Sequence, residues 1–140
     1  MTEINFYTGV ANPLNAAAKL VAKAYASGKR VRVVTPDAAA TQALDQMLWE
    51  QPTDGFLPHV ALDSEHAALT PIIVDHAPTH EGGADVLINL AMDSPPFFAR
   101  FERVFEIVGR DDAVAKAGRE RWTFYKARGY AMTHTVMNQG

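Results

Sequence analysis

"INFYTGVANPLNAAAKLVAKAYASGKRVRVVT", residues 4–35, decides the fold class. Its first six residues are rich in strand formers and close on a turn glycine, Gly9. Asn12 offers a side-chain cap, Pro13 suits the first position of a helix, and the alanine-rich run that follows favours a helix that Gly28 can terminate. The β-branched run at residues 31–35 then reads as a second strand. A connection of this length and helical character returns the second strand parallel to the first.

The same alternation continues outward from this unit. "PDAAATQALDQMLWE", residues 36–50, predicts a helix over 37–49. "PIIVDH" at 71–76, "DVLINL" at 85–90 and "RVFEIV" at 103–108 predict three further short strands, and "LPHVAL" at 57–62 an edge strand with Pro58 near its start. A last helix is expected over 111–128, with Gly129 as its stop. The expectation is a single α/β domain over residues 1–140, three-layered, with a mostly parallel sheet and helices on both faces. It is Rossmann-like without a nucleotide-binding loop. "YTGVANP" offers one glycine and then a proline, where phosphate binding needs backbone amides exposed by a glycine-rich turn. "SGKRVRVV" lacks the upstream glycine and the following Ser or Thr of a phosphate loop, and it precedes a strand where such a loop follows one.

Composition sets outer limits. The 140 residues are 48% hydrophobic, enough for the core of one domain. There is no cysteine, which removes disulfides, thiolate metal sites and thiol catalysis. The opening residues lack a signal-peptide pattern and no stretch is apolar for long enough to span a bilayer, so a soluble, cytoplasmic protein without membrane contact is expected. A formal charge of −3 argues against a surface that grips nucleic acid throughout by neutralising phosphates. The charge is uneven: residues 37–93 contain no Lys or Arg, whereas Arg100, Arg103, Arg110, Lys116, Arg119, Arg121, Lys126 and Arg128 crowd the last third. An acidic partner would meet that third, with DNA contact mainly indirect.

Catalytic and metal chemistry has little support. Asp75, His76, His80 and Asp85 are close in sequence but flank a Pro/Gly loop, so no helical spacing places them on one face. Ser27, Ser64 and Ser94 lack a GxSxG context. His59 reads as structural and His134 as ordinary surface. No cofactor and no catalytic residue is expected.

Two tryptophans stand out. At about 100° per residue, Ala40, Leu44, Met47 and Leu48 share one apolar face of the second helix, and Trp49 points away beside Gln42 and Asp45. Trp49 is either an exposed interface anchor or, if the helix ends at Leu48, a lid on the core. On the last helix Val114, Ala117, Gly118 and Tyr125 form the buried face, with Gly118 allowing close approach to the sheet. Arg119, Trp122 and Lys126 form one flank, an aromatic plate between two cations. It suits an apolar side chain next to a carboxylate, and is equally consistent with a half-buried tryptophan between solvated charges.

The segments "INFY", "GKRVRVV", "LDQMLWEQPTDGFLPH", "DVLINL", "FERVFEIV" and "GRERWTFYKARGY" resemble, in order and spacing, the bacterial DNA polymerase III chi subunit family over nearly the whole chain. The resemblance implies an α/β accessory subunit of the clamp-loader assembly, without catalytic activity, acting in DNA replication. It implies two partners: the psi subunit or a divergent equivalent, and the acidic, phenylalanine-ending C-terminal tail of single-stranded DNA-binding protein. The family's tail-binding positions fall here on Trp49, Val108, Arg119 and Trp122, with Phe56 on the psi side. The family more often has tyrosine where Trp122 stands, and lysine where Thr123 stands; Lys126, one turn along, or Lys116 is the electrostatic substitute. A small nucleotide-dependent enzyme and a direct single-stranded DNA binder are the competing readings.

Overall fold

In the computed structural model, residues 2–49, 59–60, 72–77 and 85–137 are described, the side chains of residues 49, 59 and 60 excepted. The chain runs β1 (Glu3–Val10), α1 (Pro13–Ala26), β2 (Val31–Val34), α2 (Ala38–Trp49), β3 (His59–Val60), β4 (Ile72–Asp75), β5 (Val86–Asn89), a 3-10 turn (Phe98–Arg100), β6 (Arg103–Gly109), α3 (Asp112–Ala127) and β7 (Ala131–Val136). The strands form one sheet in the order β3-β4-β2-β5-β6-β1-β7, and every neighbouring pair is parallel.

Local chemistry sets the boundaries. Asn12 Oδ1 accepts from the Asn15 amide and Pro13 opens α1; the Asp37 carboxylate accepts from the Ala40 amide before α2; Asp111 caps α3 through the amides of Ala113 and Val114. Gly28 and Gly129 follow α1 and α3 with positive φ, the left-handed conformation in which helices commonly stop. Of the edge strand expected at 57–62, His59–Val60 form β3, paired with β4, and the other four residues lie outside the described residues.

The layers follow from strand alternation. On one face α1 and α2 cover Val10, Val31, Val33, Ile72, Val74, Val86, Ile88 and Ile107, contributing Ala17, Ala18, Val21, Leu44 and Leu48. On the other face α3 and the segment around the 3-10 turn cover Ile4, Phe6, Val34, Leu87, Val104 and Val108 with Phe97, Phe98, Phe101 and Tyr125. At about 25 cal/mol per Å² of apolar surface removed from water, these two seams are the main source of stability.

Two features depart from expectation. Residues 131–136 form a seventh strand, although their side chains are largely exposed and carry no apolar alternation. This strand is an edge held by β1, with Thr133 Oγ1 donating to Asn5 Oδ1 at 2.8 Å. The seam beneath α3 is also not purely apolar. Glu106 is fully buried on β6, where its carboxylate accepts from Arg121 Nε at 2.9 Å, Asn89 Nδ2 at 2.9 Å and the Tyr125 hydroxyl at 2.6 Å. Arg121 also donates from Nη1 to the Met92 carbonyl at 2.6 Å. Burial pushes the Glu106 carboxyl above the usual carboxylate range, with Arg121 acting against that shift. Burial and the neighbouring Glu106 charge push the Tyr125 phenol well above its ordinary value. The network fixes the rotation of α3 about its axis, because Arg121 and Tyr125 must both face Glu106.

Candidate functional site

Strand β1 leaves the sheet through α1 on one face, while its neighbour β6 leaves through α3 on the other. Diverging connections open a crevice at the carboxyl ends of two adjacent parallel strands, the usual place for a binding site in open α/β sheets. Here that crevice is a groove of about 750 Å³ on the α3 face, lined by Phe6, Thr8 and Gly9 of β1, Val108, Gly109 and Arg110 from the end of β6, Ala115, Gly118, Arg119, Trp122 and Thr123 of α3, and His134 of β7.

Its shape comes from a few residues. Gly118 lets α3 descend onto β6, since a β-carbon there would stand 2.8 Å from Val108 Cγ1 and 2.9 Å from Cγ2. Val108 is thereby buried in the floor, only 2% exposed. Trp122 is half-buried, its ring edge-on to Phe6 at 5.2 Å between centroids and tilted against the His134 imidazole at 5.7 Å. His134 Nε2 lies 2.7 Å from Thr8 Oγ1. At the rim Gly9 has φ +67, a conformation that favours glycine, and its carbonyl accepts from Arg110 Nε at 2.9 Å.

The lining combines an apolar floor with positive charge. Among the described residues, Arg110 and Arg119 are its charged side chains and no carboxylate lines it. Arg119 is exposed and has no ion-pair partner among the described residues. The N-terminus of α3 is already occupied by the Asp111 carboxylate, so the anionic attraction of this site rests on side chains and not on free helix amides.

The structure therefore brings together Val108, Arg119 and Trp122, three of the residues singled out in the sequence. Lys126 is exposed one turn further along α3 and does not line the groove. Trp49 ends α2, a helix on the opposite face of the sheet, and its side chain lies outside the described residues. Phe56 lies outside them altogether. His134 is exposed, as expected of a surface residue, and the unpredicted strand β7 places it at the groove, against Trp122 and Thr8. The placement of Arg121 on the buried side of α3 agrees with the helical phase of the sequence, but its buried partner Glu106 was not anticipated, because a lone Glu inside "RVFEIV" has no sequence neighbour that announces a pairing 15 residues away.

The described members of the other polar cluster do not converge, and His80 lies outside the described residues. Asp75 ends β4 near His76, with Oδ1 3.6 Å from Nδ1, whereas Asp85 precedes β5 at the opposite, amino-terminal end of the strands and accepts from the Arg30 amide. Among the described residues, no three His, Cys, Asp or Glu side chains are grouped to hold a metal ion, and no helix is long and apolar enough to cross a membrane. Arg32, fully buried on β2, donates from Nη2 to the Ala77 carbonyl at 2.9 Å and lies 5.1 Å from the Phe97 ring. Burial lowers its pKa to about 10, opposed by Asp75.

Comparison with known proteins gives one family. The family model described as "DNA polymerase III chi subunit, HolC" matches residues 1–133. A DNA polymerase III subunit chi of Pseudomonas aeruginosa is 32% identical over 136 residues, covering 94% of each chain. The subunits of the same name from Haemophilus influenzae and Escherichia coli are 28% and 26% identical, covering 84% and 80% of this chain and 82% and 77% of their own.

Proposed function

The chain belongs to the DNA polymerase III chi subunit family and is thus an accessory subunit of the replicase, and from that premise we propose that it is a non-catalytic adaptor for an acidic peptide tail. The peptide is the C-terminal tail of single-stranded DNA-binding protein, and the coupling joins that protein to the clamp loader. The single observation that carries the reading is the composition of the groove: an apolar floor of Val108, Phe6 and Trp122 beside Arg119 and Arg110, with no carboxylate in the lining among the described residues.

The recognition follows from that composition. A terminal phenylalanine is received between Trp122 and Val108, and the planar fork of Arg119 takes the terminal carboxylate in a charge-assisted pair. Lys126, one turn along α3, meets acidic residues upstream in the tail. Each contact is modest and the tail must be ordered on binding, so one tail binds weakly and several tails add avidity. Trp49 and Phe56 take their roles from family resemblance, Trp49 on the tail side and Phe56 on the side of psi or its equivalent. Phe56→Ala is expected to weaken capture of the loader partner and to leave tail affinity unchanged.

The test is titration of the full chain with an acidic peptide ending in Phe, the same peptide ending in Ala, the same peptide with an amidated C-terminus, and bare single-stranded DNA, each at several salt concentrations. The adaptor reading expects the first peptide to bind at least tenfold more tightly than the next two. Equal affinity for all three peptides, or binding of DNA alone with a steep salt dependence, would replace it with the direct DNA-binding reading.

A further inference from the structure

We propose that His134 is a recognition residue of the groove, taking up a proton when the acidic tail docks and thereby making tail affinity depend on pH. The inference rests on the tail-binding reading above. Its basis is geometric. His134 lies on β7, the strand the sequence pattern did not announce, and lines the groove from the sheet, while Arg119 lines it from α3. One ring nitrogen, Nε2, is held 2.7 Å from Thr8 Oγ1, and Nδ1 has no partner among the described residues. The ring also rests against Trp122, which meets Phe6, the register neighbour of His134 on β1.

These contacts give the imidazole two roles. Thr8 and Trp122 hold the ring in place, so Nδ1 is available at the groove wall to donate to an incoming carboxylate once protonated. The imidazolium also lies next to the tryptophan ring, where a cation is favoured by the aromatic quadrupole. The charged side chains at the groove are cationic. From α3 these are Arg119 and, one turn away, Lys126; from the end of β6, Arg110; among the described residues β1 contributes Phe6, Thr8 and Gly9 to the lining, none of them charged. An anionic tail neutralises those cations and brings negative charge beside the ring. Histidine titrates between about pH 5 and 8, whereas the carboxylates of an acidic tail titrate near pH 4, so His134 is the component of this interface that responds in that window.

The sign follows by linkage. A tail that binds more tightly to the imidazolium takes up a proton on docking, so affinity rises as pH falls through the window. His134 is exposed, so solvent screens the pairing and the expected gain is small, about two- to fivefold between pH 8 and pH 5.5 at low salt, shrinking as salt is added.

The experiment is calorimetric titration of the acidic Phe-ending peptide at pH 5.5, 6.5, 7.2 and 8 into the wild type, His134→Gln and His134→Lys, each checked by thermal melting. The expected result is a wild-type affinity that rises toward low pH, a flat and weaker profile for His134→Gln, and a flat, tight profile for His134→Lys. A second measurement needs no variant: the His134 ring resonance, followed by NMR against pH, is expected to titrate at higher pH with peptide bound. A wild-type profile as flat as that of His134→Gln, or a His134 midpoint unmoved by peptide, overturns the inference while the tail-binding reading stands. Absence of peptide binding at every pH overturns both.

Discussion

Gly118 of α3 sits directly over Val108 of β6, so closely that a β-carbon on the glycine would stand 2.8 Å from Val108 Cγ1. The approach of helix to sheet, and with it the depth of the groove floor, depends on the missing side chain. Gly118→Ala should destabilise the protein by about 1–3 kcal/mol through overpacking, despite the roughly 1 kcal/mol that alanine gains over glycine in helix propensity. The double variant with Val108→Ala should be more stable than the sum of the two single losses implies, because the smaller floor residue relieves the clash. Denaturant unfolding of the three variants checks both statements.

Arg119 and Arg121 are two residues apart, yet they should fail in different ways. Arg121 is 4% exposed and bonded to a fully buried carboxylate. Removing one partner of such a pair leaves the other uncompensated, so Arg121→Ala should cost about 3–5 kcal/mol of stability. Arg119→Ala should melt near the wild-type temperature and lose about 2 kcal/mol of affinity for the acidic tail. Melting and peptide titration on both variants decide this. A stable, binding-competent Arg121→Ala would refute the structural role assigned to the buried pair.

Trp122 is expected to tolerate tyrosine better than alanine. Its ring packs on Phe6 and forms a groove wall, and tyrosine keeps an aromatic plate there at smaller size. Trp122→Ala should weaken tail binding about tenfold or more, and Trp122→Tyr by only a few-fold. Peptide titration by calorimetry distinguishes them.

Tyr125 gives a pH-dependent stability with a definite sign. Its phenol donates to Glu106 at 2.6 Å, and its folded pKa is raised by burial and by that carboxylate. The folded protein therefore keeps this proton at pH values where the unfolded chain has released it. The stabilisation is fully present below about pH 10, the ordinary tyrosine value, and declines as pH rises beyond it. Tyr125→Phe should lose about 1–2 kcal/mol at neutral pH, and the gap to wild type should narrow between about pH 10 and 11 in chemical unfolding experiments.

The legible parts of the fold were those in which local pattern and final environment agree. Residues 4–35 carry their cap, their helix former and their strand formers in order, and Asn12, Pro13 and Gly28 each do in three dimensions what their chemistry suggests. The phase of α3 was equally readable, because Gly118 and Tyr125 repeat at the helical period and face the sheet. β7 was not readable. Its pattern of exposed threonines and a histidine marks no buried face, and the strand exists because β1 offers a free edge. The consequence for the site was direct: with β7 unrecognised, His134 had no neighbour in the sequence to give it a role. Glu106 was missed for the opposite reason, since a charged residue within an apolar run is read against the run until its partners Arg121, Tyr125 and Asn89 are seen around it.

The pairing of β1 sets a timetable for synthesis. Its neighbours in the sheet, β6 and β7, lie far along the chain: Glu3 meets Arg103 at a separation of 100 residues, and Asn5 meets Thr133 at 128. The first strand to leave the ribosome therefore stays unpaired until most of the polypeptide has followed it, and such distant pairings close slowly. The groove takes a wall from each of these elements, so it is the last part of the surface to take shape. A nascent chain has no binding site to offer, and one released before residue 131 would present β1 as a bare sheet edge, open to pairing with any extended segment nearby.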